Sequence, residues 1–394
     1  MPTPSLPYAC HVTPVELSRT VLHAVRRAVD AGELSVAVPT RAVVAPPGPG
    51  GCGDYATSIA LQLARPAGQP PFRVAEVLRS HLAEADGITD VVLTGPGFLN
   101  ISLDRAATDV GLVREILRRG PRYGYVDAAE GAEGRVVQLR CPRDPRAVVV
   151  ADASARILRS QGTRVRVSAE GIEPAWTSVL GVTVDAVGPV PAELPVDAVG
   201  PVAAELPVEV RPAPVDAVGP VPAELPVDVR PVPAVASAEL LSLGRDAGRW
   251  ALLHPAAHDR PRTGVEHLVQ RESNPLFRVR YAHARARAAA RNAADLGFTA
   301  APGPLTDVEP GVLAALADHP RVLAAAADHR APDRLARHLV TVADAALPFL
   351  LTVLPRGGEK PSAAHRARLA LAEAVGAVLA GGLALLGIDA PDHL

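Results

Sequence analysis

Residues 184–226 repeat one proline-broken phrase three times, and that repetition divides what this chain can fold into. Val184–Pro195 reads VDAVGPVPAELP, Val196–Pro207 reads VDAVGPVAAELP, and Val215–Pro226 returns to VDAVGPVPAELP. VEVRP (208–212) and VDVRP (227–231) echo between and after them. Such units are too short for a solenoid and too rich in proline for a helix or a central strand. Across 181–238 eight acids stand against two arginines. The stretch is therefore expected to be a disordered or extended, partly polyproline-like acidic linker. A docking tract for an SH3-like partner is the alternative, and it lacks the usual basic anchor beside its prolines. Each flank must then bury a core of its own.

The N-terminal flank alternates helical and strand-like patterns. Thr13-Pro14 suits a cap and first turn, and Leu17, Val21, Val25 and Ala28 follow at helical spacing. A Pro/Gly-rich loop (45–53) leads to a helix with Ile59 and Leu63 that Asp54 is placed to cap. Val74, Leu78 and Leu82 mark a third helix. Residues 91–93 and 98–103 read as strands joined by the tight turn Gly95-Pro96-Gly97, and 105–119 as a closing helix. Together they predict a small α+β domain over 10–125. Glycines 48, 50, 51 and 53 precede a helix and could hold a phosphate, but no strand of any length leads into them, so a plain loop is the default. A short strand (135–140) and a helix (145–160) open a further piece, 135–180.

The C-terminal flank, 239–394, reads as an all-helical bundle, which makes the fold class α+β overall. Asn274 caps a helix whose first turn holds Pro275. Phe277, Tyr281, Ala284 and Ala288 share one stripe, expected to be its packing face. Arg280, Arg287 and Arg291 line one flank, and Arg278 and Arg285 the other. Between 271 and 291 six arginines meet one acid, Glu272. A solvated charged face and a path for a nucleic-acid backbone both fit that pattern. Val312, Leu313 and Leu316 predict one short helix and 321–329 another, then 333–354. A last helix opens at Ser362 and ends at Gly387. Its apolar run, 374–386, is shorter than the roughly 20 residues a membrane span needs, so it is expected to be a core helix.

Aromatics are only 3% of a chain that is 48% hydrophobic, so the cores must be built from alanine, valine and leucine. A net charge of −2 argues against indiscriminate polyanion binding; any nucleic-acid contact must be local. Cys10, Cys52 and Cys141 are odd in number and far apart, and no basic start leads into an apolar run, so a cytoplasmic protein is expected. His254 and His258 beside Asp259 have metal-like spacing, but Pro255 interrupts them, and no metal is expected. Asp318-His319 and Asp328-His329 read as helix ends. No cofactor motif is evident.

Several strings together resemble arginyl-tRNA synthetases: GDYATSIALQLA (53–64), GPGFLNISL (95–103), RAVVVADASARIL (146–158), GRDAGRW (244–250), NPLFRVRYAHAR (274–285) and LGIDAPDHL (386–394). The resemblance covers about 10–125, 135–160 and 239–394. It implies an N-terminal domain that holds the outer corner of tRNA, with Phe98 and Asn100 meeting the D-loop. Read from the strand pattern alone, the same two residues are a core aromatic and a strand-edge polar. The resemblance also implies a helical DALR-type anticodon-binding domain, with Arg278, Arg280, Tyr281, Arg285, Arg287 and Arg291 lining the backbone or anticodon-stem path.

The chain departs from that family where the family does chemistry. Cys141-Pro142-Arg143 runs almost directly into the next helix, and no histidine lies between His81 and His254, so the His-Ile-Gly-His-type loop is missing from this string. With one methionine, Met1, and one lysine, Lys360, no Lys-Met-Ser-Lys-Ser loop can be written. The piece 135–180 is thus expected to be a vestigial β–α piece of a Rossmann-type domain. Phe349-Leu350 replaces the family's Phe-Tyr, and Leu394 its final methionine, which leaves anticodon specificity open. The expectation is a non-catalytic tRNA-binding protein, not an enzyme, with arginine tRNA as partner and a full-length synthetase as a possible second one. Neither DNA nor membrane is expected. A protein-interaction paralogue that no longer binds RNA is the alternative, and an active arginine–tRNA ligase the third reading.

Overall fold

The computed structural model describes residues 14–48, 50–85, 87–126, 136–188, 226–234, 238–305 and 308–394. Thr13 lies outside them.

The first unit holds α1 (Pro14–Asp30), β1 (Val44–Ala45), β2 (Tyr55–Thr57), α2 (Ile59–Ala67), α3 (Pro71–Ala83), β3 (Ile88–Thr94) and β4 (Phe98–Leu103). Its antiparallel sheet runs β1-β2-β4-β3. Alternation along β4 sends Leu99 and Ile101 into a core with Leu17, Val21 and Val25 of α1, Ile59 and Leu63 of α2, and Val74, Leu78 and Leu82 of α3. Asp54 does not cap α2, because Ser58 occupies that position. Its carboxylate instead accepts from the Leu103 amide at 2.9 Å, and its own amide donates to the Ile101 carbonyl at 2.9 Å. Both bonds pin the glycine loop onto β4.

The helix expected to close this unit, α4 (Arg105–Arg119), packs elsewhere: Leu112, Val113 and Ile116 join a second core shared with all that follows. That core surrounds β5 (Val136–Cys141), α5 (Pro145–Ser160), β6 (Arg164–Ala169), α6 (Pro174–Leu180), β7 (Ala186–Val187) and β8 (Val227–Asp228). The strands form a parallel sheet in the order β7-β6-β5-β8, with Leu139 opposite both Val167 and Val227. The stretch 135–180, expected to hold one strand and one helix, thus supplies two strands and two helices, and its strands form the middle of a four-stranded sheet.

Two of its strands come from the ends of the expected linker. Asp185 accepts from the Val167 amide at 2.7 Å, and Arg140 bonds Asp228 at 2.9 Å. Val182, Val229 and Ala234 are buried. The β-branched residues of the VDAV and VDV phrases supply short edge strands that cover β6 and β5. The expected linker therefore does not extend over all of 181–238; its middle, 189–225, lies outside the described residues.

Two buried arginines tie the sheet to the helices. The Arg146 guanidinium, on the first turn of α5 and 0% exposed, donates to the carbonyls of Leu252, Val232, Asp259, Pro255 and Ala256 at 2.7–3.1 Å. Arg249, also 0% exposed, meets Asp152 of α5 at 2.5 Å and donates to the Leu386 and Leu180 carbonyls. Burial and the neighbouring Arg249 and Arg156 act on Asp152 in opposite senses, and the arginines win, holding its carboxyl below the usual range. Gly387, in the left-handed region at φ 71°, ends the last helix directly against the Arg249 guanidinium, where a side chain would collide.

The remainder is α7 (Ala238–Ser242), α8 (Gly244–Leu253), α9 (Pro275–Asp295), α10 (Pro310–Asp328), α11 (Pro332–Leu350) and α12 (Ala363–Leu386). α10 is one helix where two were expected. It runs through Pro320 because residues on both sides, Leu316 and Leu323, are buried in the same core, and packing outweighs the lost backbone bond. His319 is consequently not a helix end: it sits mid-helix, buried, its ring 5.3 Å from that of His338 on α11 and 6.0 Å from Tyr123. α12 is long and apolar enough to cross a membrane, yet 78% of its most apolar window is buried inside the fold, as a core helix requires. Ser362 and His365 form a reciprocal cap at its start. Among the described residues no group of three His, Cys, Asp or Glu could hold a metal; His254 stacks on Trp250 at 5.1 Å instead.

Candidate nucleic-acid interface

The first candidate surface is a cleft of about 290 Å³ between the glycine loop and the β3–β4 turn. Phe98 starts β4 opposite Thr94 and is 40% exposed, so its ring forms an open wall and not part of the core. Asn100 points to the same side two residues on but is only 2% exposed. Its Nδ2 donates to Thr94 Oγ1 at 2.6 Å and to the Val92 carbonyl at 3.3 Å, and its Oδ1 accepts from the Cys52 amide at 3.4 Å. Asn100 therefore fastens the loop to the strand and presents little of itself to a ligand. The loop approaches closely enough to need glycine: a Cβ on Gly53, φ 78°, would come within 2.8 Å of the Ile101 carbonyl. The cleft offers one aromatic face above a floor of backbone and amide, a shape suited to a planar group.

The second surface is α9. Asn274 caps it as expected, accepting from the Leu276 amide and donating to the His267 and Val269 carbonyls. Of the expected packing stripe only Ala284 is buried; its aromatics, Phe277 and Tyr281, are not. Leu276, Val279, Ala282, Ala286, Ala289 and Ala293 are buried on a helix that packs against both α11 and α12, while Tyr281 is 38% exposed. An alanine-rich helix carries two apolar stripes, and the one that includes Leu276 and Val279 takes the interior, with Ala286 opposite Gly376. The displaced aromatics form a ladder on the outside. Phe277 and Tyr281 stack at 5.4 Å with an interplanar angle of 14°, and the Arg285 guanidinium lies 6.0 Å from the Tyr281 ring centre. Phe277 also borders a cleft of about 300 Å³ with Arg280, Asn274 and Leu394.

The flanking arginines are engaged. Arg278 meets Asp344 at 3.0 Å, Arg280 meets Asp246 at 3.5 Å, and Arg287 holds Asp392 at 2.9 Å. Arg291 donates to the Asp392 carbonyl at 3.2 Å. A hydrogen bond from Arg287 holds the Asp392 carboxyl below its usual range. The structure brings Tyr281 and Arg285 together, sets Arg278 on one side and Arg280, Arg287 and Arg291 on the other, and leaves Phe98 and Asn100 on the separate first unit. Phe277, expected on the packing face, lies in the outer stack with Tyr281, and the carboxylate partners Asp246, Asp344 and Asp392 carry no local signal, being 34 to 105 residues from their arginines.

Comparison with known proteins places both surfaces in one context. Residues 16–103 match the arginyl tRNA synthetase N-terminal domain, and residues 279–394 the DALR anticodon binding domain. An arginine–tRNA ligase from Renibacterium salmoninarum is 42% identical over 164 residues, covering 39% of this chain and 30% of that protein. Another, from Frankia alni, is 40% identical over 162 residues, or 29% of its length. These alignments thus span less than a third of either relative. An arginine–tRNA ligase from Kineococcus radiotolerans aligns over 97% of this chain and all of its own length at 26% identity. The 555 positions of that alignment exceed the 394 residues here, so the relative carries segments this chain lacks. The fold matches arginyl-tRNA synthetases from Thermus thermophilus (TM-score 0.58, 16% identity, 97% of this chain and 100% of that one) and Plasmodium falciparum (TM-score 0.60, 9% identity, 99% and 100%). The expectation that the chain is not an enzyme is corrected by these findings: the relatives are named ligases, one of them matched from end to end.

Proposed function

Because the chain belongs to the arginyl-tRNA synthetase family, we propose that it binds arginine tRNA through two grips, the Phe98 cleft and the Phe277–Tyr281–Arg285 ladder. The observation that carries this is the ladder: a stacked aromatic pair topped by a guanidinium, set outward and flanked by arginines, offers ring faces to unpaired bases and cations to phosphates. The cleft supplies a second face, and two grips on one ligand raise affinity through effective concentration. The near-zero net charge confines attraction to these local surfaces.

We read the parallel sheet as this chain's counterpart of a Rossmann-type domain. In its favour, the strand order turns at β5, with β6 on one side and β8 on the other. The ligase reaction named for the relatives is the proposed setting of the grip, and arginine-dependent ATP–pyrophosphate exchange by the full chain measures it. A cytoplasmic location belongs to the same reading, supported by the free thiols Cys52 and Cys141. A second reading, a protein-interaction paralogue, is favoured by the carboxylates already held by Arg278, Arg280 and Arg287.

Titration of labelled arginine tRNA separates the two. Phe98→Ala and Tyr281→Ala are each expected to weaken binding about 5- to 150-fold, the cost of about 1–3 kcal/mol for one lost stacking face. Affinities equal to wild type in both variants would remove the two-grip reading.

A further inference from the structure

Beyond Gly387 the chain turns back along α9 and lies against the flank that carries Arg287 and Arg291. Asp389 is held there by its amide on Asp246 Oδ1 at 3.1 Å, and the Pro391 carbonyl by His283 Nδ1 at 3.1 Å. Asp392 then faces Arg287 with both oxygens, at 2.9 Å to Nε and 3.3 Å to Nη2, while its carbonyl accepts from Arg291 at 3.2 Å. His393 adds a contact from Nδ1 to Arg291 at 3.4 Å. The planar fork of arginine that accepts a carboxylate in this bidentate manner accepts a phosphate equally well.

We propose that residues 389–393 form a strap in which Asp392 occupies the phosphate position of Arg287, so that RNA must displace it to engage this flank; the proposal rests on the tRNA reading above. Arg287 and Asp392 are each about half exposed. An ion pair so exposed is weak, and a polyanion anchored at the ladder displaces it at small cost. An isolated anion has no second anchor and gains little by displacing a carboxylate already tethered in place. The strap thus favours a ligand that also engages the aromatic ladder over charge alone. His283, buried and neutral by virtue of that burial, holds the strap through a backbone carbonyl, so the Asp392 side chain can leave while the chain on either side stays attached.

The test uses the full chain and fluorescence-labelled arginine tRNA, with a DNA duplex as a polyanion lacking unpaired bases. Asp392→Asn is expected to tighten tRNA binding about 2- to 5-fold and duplex binding by more, the scale of an exposed ion pair. In an Arg287→Gln background the same change is expected to do nothing, because the two act as one pair. Asp328→Asn, which removes a charge at an exposed site on α10, controls for net charge and is expected to leave affinity unchanged. Unaltered or weaker tRNA binding by Asp392→Asn, where wild type binds, overturns the strap and leaves the tRNA reading intact. An equal gain from Asp328→Asn overturns it as well. Binding by neither wild type nor Asp392→Asn overturns the tRNA reading and the strap together.

Discussion

Arg146→Leu is expected to lower the unfolding free energy of the chain by about 3–5 kcal/mol, the usual result of removing one side of a buried charged contact. Five carbonyls from two stretches of chain converge on this guanidinium, that of Val232 and those of Leu252, Pro255, Ala256 and Asp259. Leucine fills part of the volume and satisfies none of them, and each buried carbonyl then bears its own desolvation cost. A folded domain holds only about 5–15 kcal/mol in reserve, so the variant is expected near the edge of stability at 37 °C. Arg146→Lys separates charge from geometry: an ammonium has three donors where the guanidinium has five, and an intermediate loss of about 1–3 kcal/mol is expected. Urea unfolding followed by circular dichroism checks both, and a loss under about 1 kcal/mol for Arg146→Leu would show that water replaces the guanidinium.

Mild acid is expected to destabilise the helical bundle through His319 and His338. Burial, reinforced by His338, pushes His319 down to about 3; burial, partly offset by Asp318 and aided slightly by Arg321, pushes His338 down to about 4. Among the described residues, His319 Nδ1 and His338 Nε2 have no hydrogen-bond partner. Both rings therefore stay neutral in the folded chain, while in the unfolded chain they take up protons near the ordinary value of about 6.5. The unfolded state binds more protons at lower pH, so stability is complete above about pH 6.5 and falls as pH drops toward 4 and then 3. At pH 5 the expected loss is about 2 kcal/mol per histidine. Urea midpoints at pH 7.5, 6 and 5 measure it, with His338→Leu expected to remove about half of the slope. An equal slope in that variant would assign the acid sensitivity to other groups.

The parts of the fold legible in the sequence are those where each residue has one structural option. Leu17, Val21, Val25 and Ala28 have only one face to bury, and Gly95-Pro96-Gly97 permits little besides a turn. Asn274-Pro275 similarly starts a helix whatever lies nearby. Errors arose where composition offered two options. On α9 alanine supplies an apolar stripe on both sides, so spacing alone does not tell the aromatic stripe from the one that carries Leu276 and Val279 into the core. Pro320 signals a break that Leu316 and Leu323, anchored in one core, override. The repeat ends read as linker because two-residue strands such as Ala186–Val187 have no periodicity to detect. At the candidate site, Phe98 and Asn100 were found together, but only the fold separates their roles, one exposed and one spent on holding a loop. That Arg287 already holds Asp392 was out of reach of any local pattern, since the pair meets only when the bundle closes.

The central claim is that the molecule holds arginine tRNA, and the most direct measurement is recovery of RNA bound to the tagged full chain from lysate of its own cells at physiological salt, followed by sequencing. The account predicts enrichment of arginine tRNA over bulk tRNA with wild type, and its loss when Phe98 and Tyr281 are both changed to alanine. Recovery no richer in arginine tRNA than the lysate itself would contradict it.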